Sequence, residues 1–164
     1  MEFYEALTYV NENFYKPNQF VIKAIREEAQ NSDYGAGIFQ LNSKSIRFRV
    51  AKTTPNKVGQ FVSFWEKDAA HKNQAFSYGK ATDLLVINTF TSTNRFGQFI
   101  FPKEVLLKQK ILKTATTKGK MAIRVYPIWD KPTSKQAMET QKWQLEYFIE
   151  PNYLSYQKFL KLYS

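Results

Sequence analysis

The stretch SIRFRVAKTTPNKVGQFVSFW, residues 45–65, contains two segments of alternating apolar and polar side chains joined by a polar loop. Alternation along SIRFRVA places Ile46, Phe48 and Val50 on one face of a strand. GQFVSFW, at the end of the stretch, has the same period of two and is rich in aromatic and β-branched residues. Because this period and composition are typical of β-strands, the stretch predicts a fold built on a sheet.

Lys52 follows the first strand, and the alternation directs its side chain toward the apolar face. An ammonium buried without a partner is costly, so the lysine is expected either to extend to the edge of the sheet or to lie in a polar pocket. Arg47 and Arg49 fall on the opposite face. There they are expected either to lie in solvent or to pair with acids.

The rest of the chain predicts a mixture of strands and helices. Further strands are expected at GIFQL (37–41), DLLVINTF (83–90), RFGQFIF (95–101) and IRVYPIW (123–129). Helices are expected over 2–14, 18–31, 103–112 and 134–149, with another in the tail YLSYQKFLKLY (153–163). This order indicates one α+β domain over residues 1–164, with a mixed, mainly antiparallel sheet flanked by helices.

Two of these helices are predicted from apolar spacing near four residues. The first, over 18–31, has one face formed by Val21, Ala24, Ile25 and Ala29. The second, over 134–149, has one face formed by Met138, Gln141, Leu145 and Phe148, after Thr133 and Gln136 in capping-box spacing.

Composition and charge narrow the function. The chain has no Cys and a single His, His71, which removes thiol nucleophiles and Cys-rich zinc sites. The N-terminus lacks the basic region of a signal peptide, and no segment reaches the ~20 continuous apolar residues of a membrane helix. We therefore expect no membrane insertion and a cytoplasmic location. With 24 Lys and Arg against 14 Asp and Glu, the formal charge is +10, which favours polyanionic partners, DNA foremost.

Basic and aromatic side chains are interleaved near these strands, as in surfaces that neutralise phosphates and stack on bases. The loop after Lys52 adds hydroxyl and amide groups suited to a phosphate. The candidate DNA-binding residues are Arg47, Arg49, Lys52, Thr53, Thr54, Lys57, Gln60, Arg124, Tyr126, Trp129 and Lys131. Because stacking favours unpaired bases, we expect single-stranded DNA to be preferred, or both forms to bind, with little sequence specificity.

Three segments carry a resemblance to a known family: YGAGIFQLNSKSIRFRVAKTTPNKVGQFVSFW (34–65), GQFIFPKEVLL (97–107) and IRVYPIWDKPTSKQAMETQKWQ (123–144). On these segments the chain resembles the MepB family, bacterial proteins named for an operon that also encodes a multidrug exporter and its repressor. The chain does not resemble the exporter, because it has no predicted membrane segment. The family is similar in fold to type II restriction endonucleases of the PD-(D/E)xK group, so the resemblance implies a restriction-endonuclease-like fold.

In that group one strand begins with Asp, and the next carries an acid and a lysine two residues apart. The acids hold a divalent metal, and the lysine steadies the attacking water. The resemblance puts Lys52 in the lysine position and makes Asp33 and Glu28 the candidate acids. Val50 stands where the second acid belongs, so the implied metal site is degenerate. A second alignment, with Asp83 as the acid, loses the lysine spacing.

Three functions remain as alternatives. The first is a DNA-binding protein on a nuclease-like fold with a degenerate metal site, binding mainly through phosphates. The second is an active metal-dependent endonuclease, which would use Mg²⁺; otherwise no cofactor is expected. The third is a pocket for a small anionic or aromatic compound, suggested by the association with drug export and by the aromatic content. No protein partner follows from the sequence.

Overall fold

The structure, a computed structural model, describes residues 1–151 and 155–164. In chain order its strands are β1 (Ile22–Glu27), β2 (Gly37–Leu41), β3 (Lys44–Val50), β4 (Lys52–Thr54), β5 (Lys57–Ser63), β6 (Trp65–Lys67), β7 (Asn73–Ala75), β8 (Leu84–Phe90), β9 (Phe96–Pro102), β10 (Ala122–Val125) and β11 (Phe148–Ile149). Its α-helices are α1 (Phe3–Val10), α2 (Lys103–Lys108), α3 (Lys135–Gln144) and α4 (Tyr156–Tyr163). Within these residues, no helix is both long enough and apolar enough to cross a membrane.

The main sheet has six strands in the order β1-β2-β3-β8-β9-β11. Strands β3 and β8 pair in parallel, with Phe48 opposite Val86, and every other neighbouring pair is antiparallel. The connection between β3 and β8 contains β4, β5 and the β6-β7 hairpin. The prediction of an α+β fold with a mixed, mainly antiparallel sheet is therefore confirmed.

Apolar cores cover both faces of the main sheet. On one face, α1 and α4 pack against β3, β8 and β9, with Phe3, Phe48 and Phe159 in the core. On the other face lie α2 and a second, three-stranded sheet of order β10-β5-β4, with Val62 and Phe101 in the core. Burying a large apolar side chain stabilises a fold by ~1.5–3 kcal/mol, so the second core holds the second sheet against the first.

A chain of buried polar groups crosses the core under α4. The Tyr163 hydroxyl donates to Gln98 Oε1 over 2.8 Å and lies 2.8 Å from the Tyr15 hydroxyl. Gln98 Nε2 then donates to Asn88 Oδ1 over 2.7 Å, and Asn88 Nδ2 donates to the Arg49 carbonyl over 2.8 Å. Burial raises the pKa of Tyr15, so its phenol stays protonated. These bonds satisfy the polar groups and fix how α4 sits on the sheet.

The helix predicted over 18–31 is wrong, because this segment forms the edge strand β1. It pairs with β2 from Ile22 opposite Leu41 to Glu27 opposite Gly37. One extra residue bulges out at Ala24, which has φ 54°, and the bulge shifts the register. The bulge is the reason that a strand shows apolar spacing near four residues, the spacing typical of a helix. The backbone groups of β1 form hydrogen bonds with β2 instead of the internal hydrogen bonds of a helix.

The helix predicted over 134–149 is shorter than expected. Ser134, not Thr133, caps α3, accepting a hydrogen bond from the Ala137 amide over 3.1 Å. The chain then passes through a short 3₁₀ turn into β11, where Phe148 is buried by pairing with β9. The face of α3 that packs against the protein contains Gln144, which is buried, and Met138 lies on the exposed face. In the tail, α4 fits the prediction from Tyr156 onward, while 153–154 lie outside the described residues.

Candidate nucleic-acid interface

Arg47, which is half-buried, and Arg49, which is buried, pair with the same acid. Glu28 Oε1 is 3.3 Å from Arg47 Nε and 2.8 Å from Arg49 Nη1. Arg49 is fully buried and also donates to the Ser63 and Phe48 carbonyls, so it has no surface to offer a phosphate. Arg47 stacks 3.7 Å from the ring centroid of Phe76. Of the two alternatives given by the sequence, pairing with an acid is the one observed.

Charge and burial compete in this cluster. Burial raises the pKa of Glu28, but the charges of Arg49 and Arg47 and their hydrogen bonds outweigh burial and lower it below its ordinary value. Burial lowers the pKa of Arg49 to about 10, which keeps the guanidinium charged at neutral pH. Glu28 follows strand β1, whereas the sequence had predicted that it lies late in a helix. Its carboxylate is thus engaged by two arginines.

Lys52 begins a strand of the second sheet instead of extending β3. The last bond to the main sheet runs from the Ala51 amide to the Asn88 carbonyl over 2.9 Å, and the chain then crosses to β4. The expectation that Lys52 points with the apolar side chains is wrong, because Lys52 pairs with Phe61 on the outer face of the second sheet and its side chain is exposed. Its Nζ lies 5.1 Å from the ring centroid of Tyr34. A change of sheet at Ala51 breaks the alternation on which the prediction depended.

Across the second sheet, Lys52, Phe61 and Arg124 form one row. Phe61 is the register partner of Lys52 on β4 and of Arg124 on β10, so the three side chains share a face. The Arg124 guanidinium carbon is 6.0 Å from the ring centroid of Phe61, and Tyr34 packs edge-on against that ring with centroids 5.9 Å apart. The row therefore places an aromatic ring between two cations.

Neutral groups hold the guanidinium of Arg124. Its Nη2 donates to Thr54 Oγ1 over 3.0 Å, and its Nη1 donates to the carbonyls of Val58 and Gly59, each over 3.3 Å. Ion pairs in the described residues involve four of the 24 Lys and Arg side chains, and Arg124 is not one of them. Arg124 is thus fixed in position while its charge remains uncompensated.

The second sheet comes from two parts of the sequence that contain no acids. Neither 34–65 nor 105–129 contains Asp or Glu, and these ranges supply β4, β5 and β10. One carboxylate from outside does reach the sheet, since Asp130 accepts a hydrogen bond from the Gly59 amide. Burial raises the pKa of Asp130, and that hydrogen bond opposes the rise. Positive charge therefore dominates this face.

An open cleft of about 480 Å³ lies between the second sheet and α3. Its lining includes the cations Lys57, Lys120 and Arg124, the aromatic side chains Phe61, Tyr126 and Trp143, and the polar side chains Gln109, Ser134, Gln136 and Thr140. Buried Gln144 fixes α3 to the edge of β10: its Oε1 accepts from the Tyr126 amide over 2.9 Å, and its Nε2 donates to the Arg124 carbonyl over 3.0 Å. The walls are thus held at a fixed spacing.

The structure groups six of the eleven predicted DNA-binding residues and separates the other five, which include Arg47 and Arg49. The grouped residues lie on the second sheet and its cleft: Lys52, Thr53, Thr54, Lys57, Arg124 and Tyr126. Gln60 is buried in that sheet, donating to the Phe90 carbonyl over 3.2 Å. Trp129 packs on Phe148 with Arg95 4.8 Å from its ring centroid, and Lys131 is exposed in the same loop.

Lys120 and Trp143 line the cleft but were not among the site residues predicted from the sequence. No local signal marks either, because each enters the cleft through pairing between distant segments. Phe61 had a usable signal, since the alternation of β5 places it opposite Gln60 and Val62, which are both buried.

The candidate acids are dispersed. Asp33 is exposed in a short 3₁₀ turn, Asp83 accepts from the Ser45 amide over 2.8 Å, and Val50 is buried in the first core. Hydrogen bonds from Ser45 lower the pKa of Asp83. In residues 1–151 and 155–164, no group of three or more His, Cys, Asp or Glu side chains is placed to hold a metal ion.

Comparison with known proteins shows the family to which the chain belongs. The MepB-like family model matches residues 28–150. A solved structure, the crystal structure of MepB, is similar with a TM-score of 0.79 and 38% sequence identity, over 90% of this chain and 95% of that one. No curated protein matches the chain. The resemblance to the MepB family is confirmed, and the chain belongs to the MepB-like family, while the restriction-endonuclease-like fold stays a prediction.

Proposed function

We propose that the protein binds DNA through the outer face of the β4-β5-β10 sheet, with phosphates on Lys52, Lys57 and Arg124. The observation that carries this proposal is the row Lys52, Phe61 and Arg124, in which two cations without carboxylate partners flank a ring. Lys and Arg neutralise phosphates and release counterions, while aromatic rings stack on bases. Single-stranded DNA is therefore favoured over duplex, although both bind.

Sequence specificity is weak in this proposal, because most of the binding free energy comes from the phosphate backbone. Binding takes place in the cytoplasm, on a restriction-endonuclease-like fold whose metal site has lost its acids. Two features support that loss. Val50, at the acid position, is packed in an apolar core, and Glu28 is paired with two arginines.

The test is fluorescence anisotropy of labelled single-stranded and duplex oligonucleotides across a salt series. Affinity should fall by ~10-fold or more between low and physiological salt. The double variant Lys52→Ala/Arg124→Ala should weaken binding by about tenfold. Lys23→Ala/Arg26→Ala is the matched control, because it removes one Lys and one Arg from exposed positions on β1. An affinity that does not change with salt concentration, or an equal loss of affinity in the two double variants, would refute the proposal.

An active metal-dependent endonuclease is the second candidate. The contact that favours it lies between Lys52 and Tyr34, since Tyr34 directly follows Asp33 in the chain. Incubating the protein with DNA and Mg²⁺ or Mn²⁺ tests it. Cleavage that disappears in a folded Lys52→Ala variant would support this candidate, and the absence of cleavage with either metal would exclude it.

A further inference from the structure

We propose that the cleft between the β4-β5-β10 sheet and α3 holds one unstacked nucleobase, with its phosphate on Arg124. This inference rests on the proposed function and adds a specific binding site for one nucleotide unit. It also gives a structural cause for a preference for single strands. A duplex presents its bases stacked and paired, whereas a single strand can turn one base into a cleft at low cost.

The size of the cleft suits one nucleotide unit. At about 480 Å³ it falls within the range of pockets that hold small ligands, ~300–1,000 Å³. Its lining combines the three kinds of group that a nucleotide requires: aromatic rings for the base, neutral polar side chains for the base edge, and cations for the phosphate. No carboxylate belongs to this lining.

Trp143 provides the principal stacking surface. Part of its ring packs against Phe101, with centroids 5.3 Å apart, which fixes its orientation, and the rest lines the cleft. Trp143 is half-buried, so apolar ring surface remains open to a ligand. Phe61 and Tyr126 line the cleft as well, and Phe61 belongs to the row that includes Arg124.

The polar lining is suited to reading a base edge without strong selectivity. Gln109 and Gln136 carry amides that donate and accept, and these amides are compatible with any of the four bases. Arg124 lies at the sheet side of the same cleft, held by Thr54 and two backbone carbonyls. A base among the aromatic rings and a phosphate on Arg124 would therefore be bound by one continuous surface.

The experiment compares single-stranded oligonucleotides of equal length with and without bases, the latter built from abasic units with the same phosphates. Binding is followed by anisotropy with labelled oligonucleotides. The intact strand should bind about tenfold more tightly than the abasic strand, the effect of stacking one base. Equal affinities would overturn the base site while leaving the phosphate-driven function intact. Binding of neither strand would overturn both.

Cleft-filling variants then locate the effect. Ala137→Phe puts a ring into the cleft without changing any charge, so the tenfold preference should vanish while affinity for the abasic strand stays the same. Thr140→Phe makes the same comparison from the next turn of α3. Ala29→Phe, at an exposed position after β1, is the matched control and should keep the preference. A preference that survives in the folded filling variants would place the base elsewhere and refute the proposal.

Discussion

Arg49 donates a hydrogen bond from Nη1 to Glu28 Oε1 over 2.8 Å in the interior of the protein. This contact joins the residue that follows β1 to the C-terminal end of β3, and the Arg49 side chain has no exposure to solvent. Burying both charges is costly, so the pair persists only because each partner compensates the other. Within the described residues, Arg49 Nη2 has no hydrogen-bond partner, which makes the cluster more dependent on Glu28.

Glu28→Gln should therefore destabilise the protein strongly. The substitution removes the negative charge and leaves two arginines close together, one of them fully buried. Breaking one side of a buried pair costs ~3–5 kcal/mol of unfolding free energy. Urea denaturation measures the change, and Glu27→Gln, at an exposed neighbouring position, is the matched control. A loss no larger than that of the control would show that the ion pair contributes little.

The same ion pair makes the free energy of unfolding depend on pH. The pKa of Glu28 is lower in the folded protein than in the unfolded chain, where it is about 4.3. Its contribution is therefore fully present above that value and is lost as the pH falls through the lower folded pKa. Denaturation midpoints measured from neutral pH down to acid should show the gap between wild type and Glu28→Gln narrowing below the unfolded pKa. A gap that stays constant into acid would contradict this assignment.

The strands of the main sheet could be predicted from sequence because their alternation is local. Ile46, Phe48 and Val50 share one face as the period of two requires, and both faces are covered. The edge strand β1 could not be predicted, since one bulged residue changes its apparent period. In general, tertiary pairing overrides a local apolar pattern when it satisfies the backbone along an exposed edge.

The candidate site was only partly predictable, for a related reason. Residue types near Lys52 and Arg124 predicted one basic surface, and the structure brings both cations onto one face of the second sheet. The row itself forms because Phe61 on β5 pairs with both β4 and β10. The register between β5 and β10, which lie about 60 residues apart in the chain, is not encoded in the local pattern. Arg49 shows the opposite case, because nothing in alternation alone distinguishes a solvated arginine from one neutralised in the core.

Thr54→Val should weaken DNA binding by loosening Arg124. The substitution keeps the shape of the side chain but removes the oxygen that accepts from Arg124 Nη2. We expect affinity to fall about threefold, because the guanidinium must then be ordered on binding. In an Arg124→Ala background the same substitution should have no further effect, which a double-mutant cycle measures by anisotropy. Additive losses would mean that Thr54 acts independently of Arg124. Thr8→Val, at an exposed position on α1, serves as the control.

Gly59→Ala should disturb the wall of the cleft that Tyr126 forms. Gly59 has φ +86°, and an added Cβ would lie 2.7 Å from the Tyr126 ring and 2.9 Å from the Val125 carbonyl oxygen. Backbone strain and the contact with fixed atoms together should cost ~2–4 kcal/mol of unfolding free energy. Displacement of Tyr126 should also lower the affinity for single-stranded DNA more than for duplex, since the cleft is the site that accepts an unstacked base.

Gly79→Ala is the matched control, because Gly79 lies in a 3₁₀ turn where an added Cβ would have no neighbour within 4 Å. It should leave the denaturation midpoint within the ±0.5 kcal/mol typical of a surface change. Both variants are compared by urea denaturation and by anisotropy with intact single-stranded and duplex oligonucleotides. If Gly59→Ala proves as stable as Gly79→Ala, the close approach of Tyr126 to the β5 backbone is not a constraint. If it is less stable but keeps the same ratio of single-strand to duplex affinity, Tyr126 supports the fold without contributing to recognition.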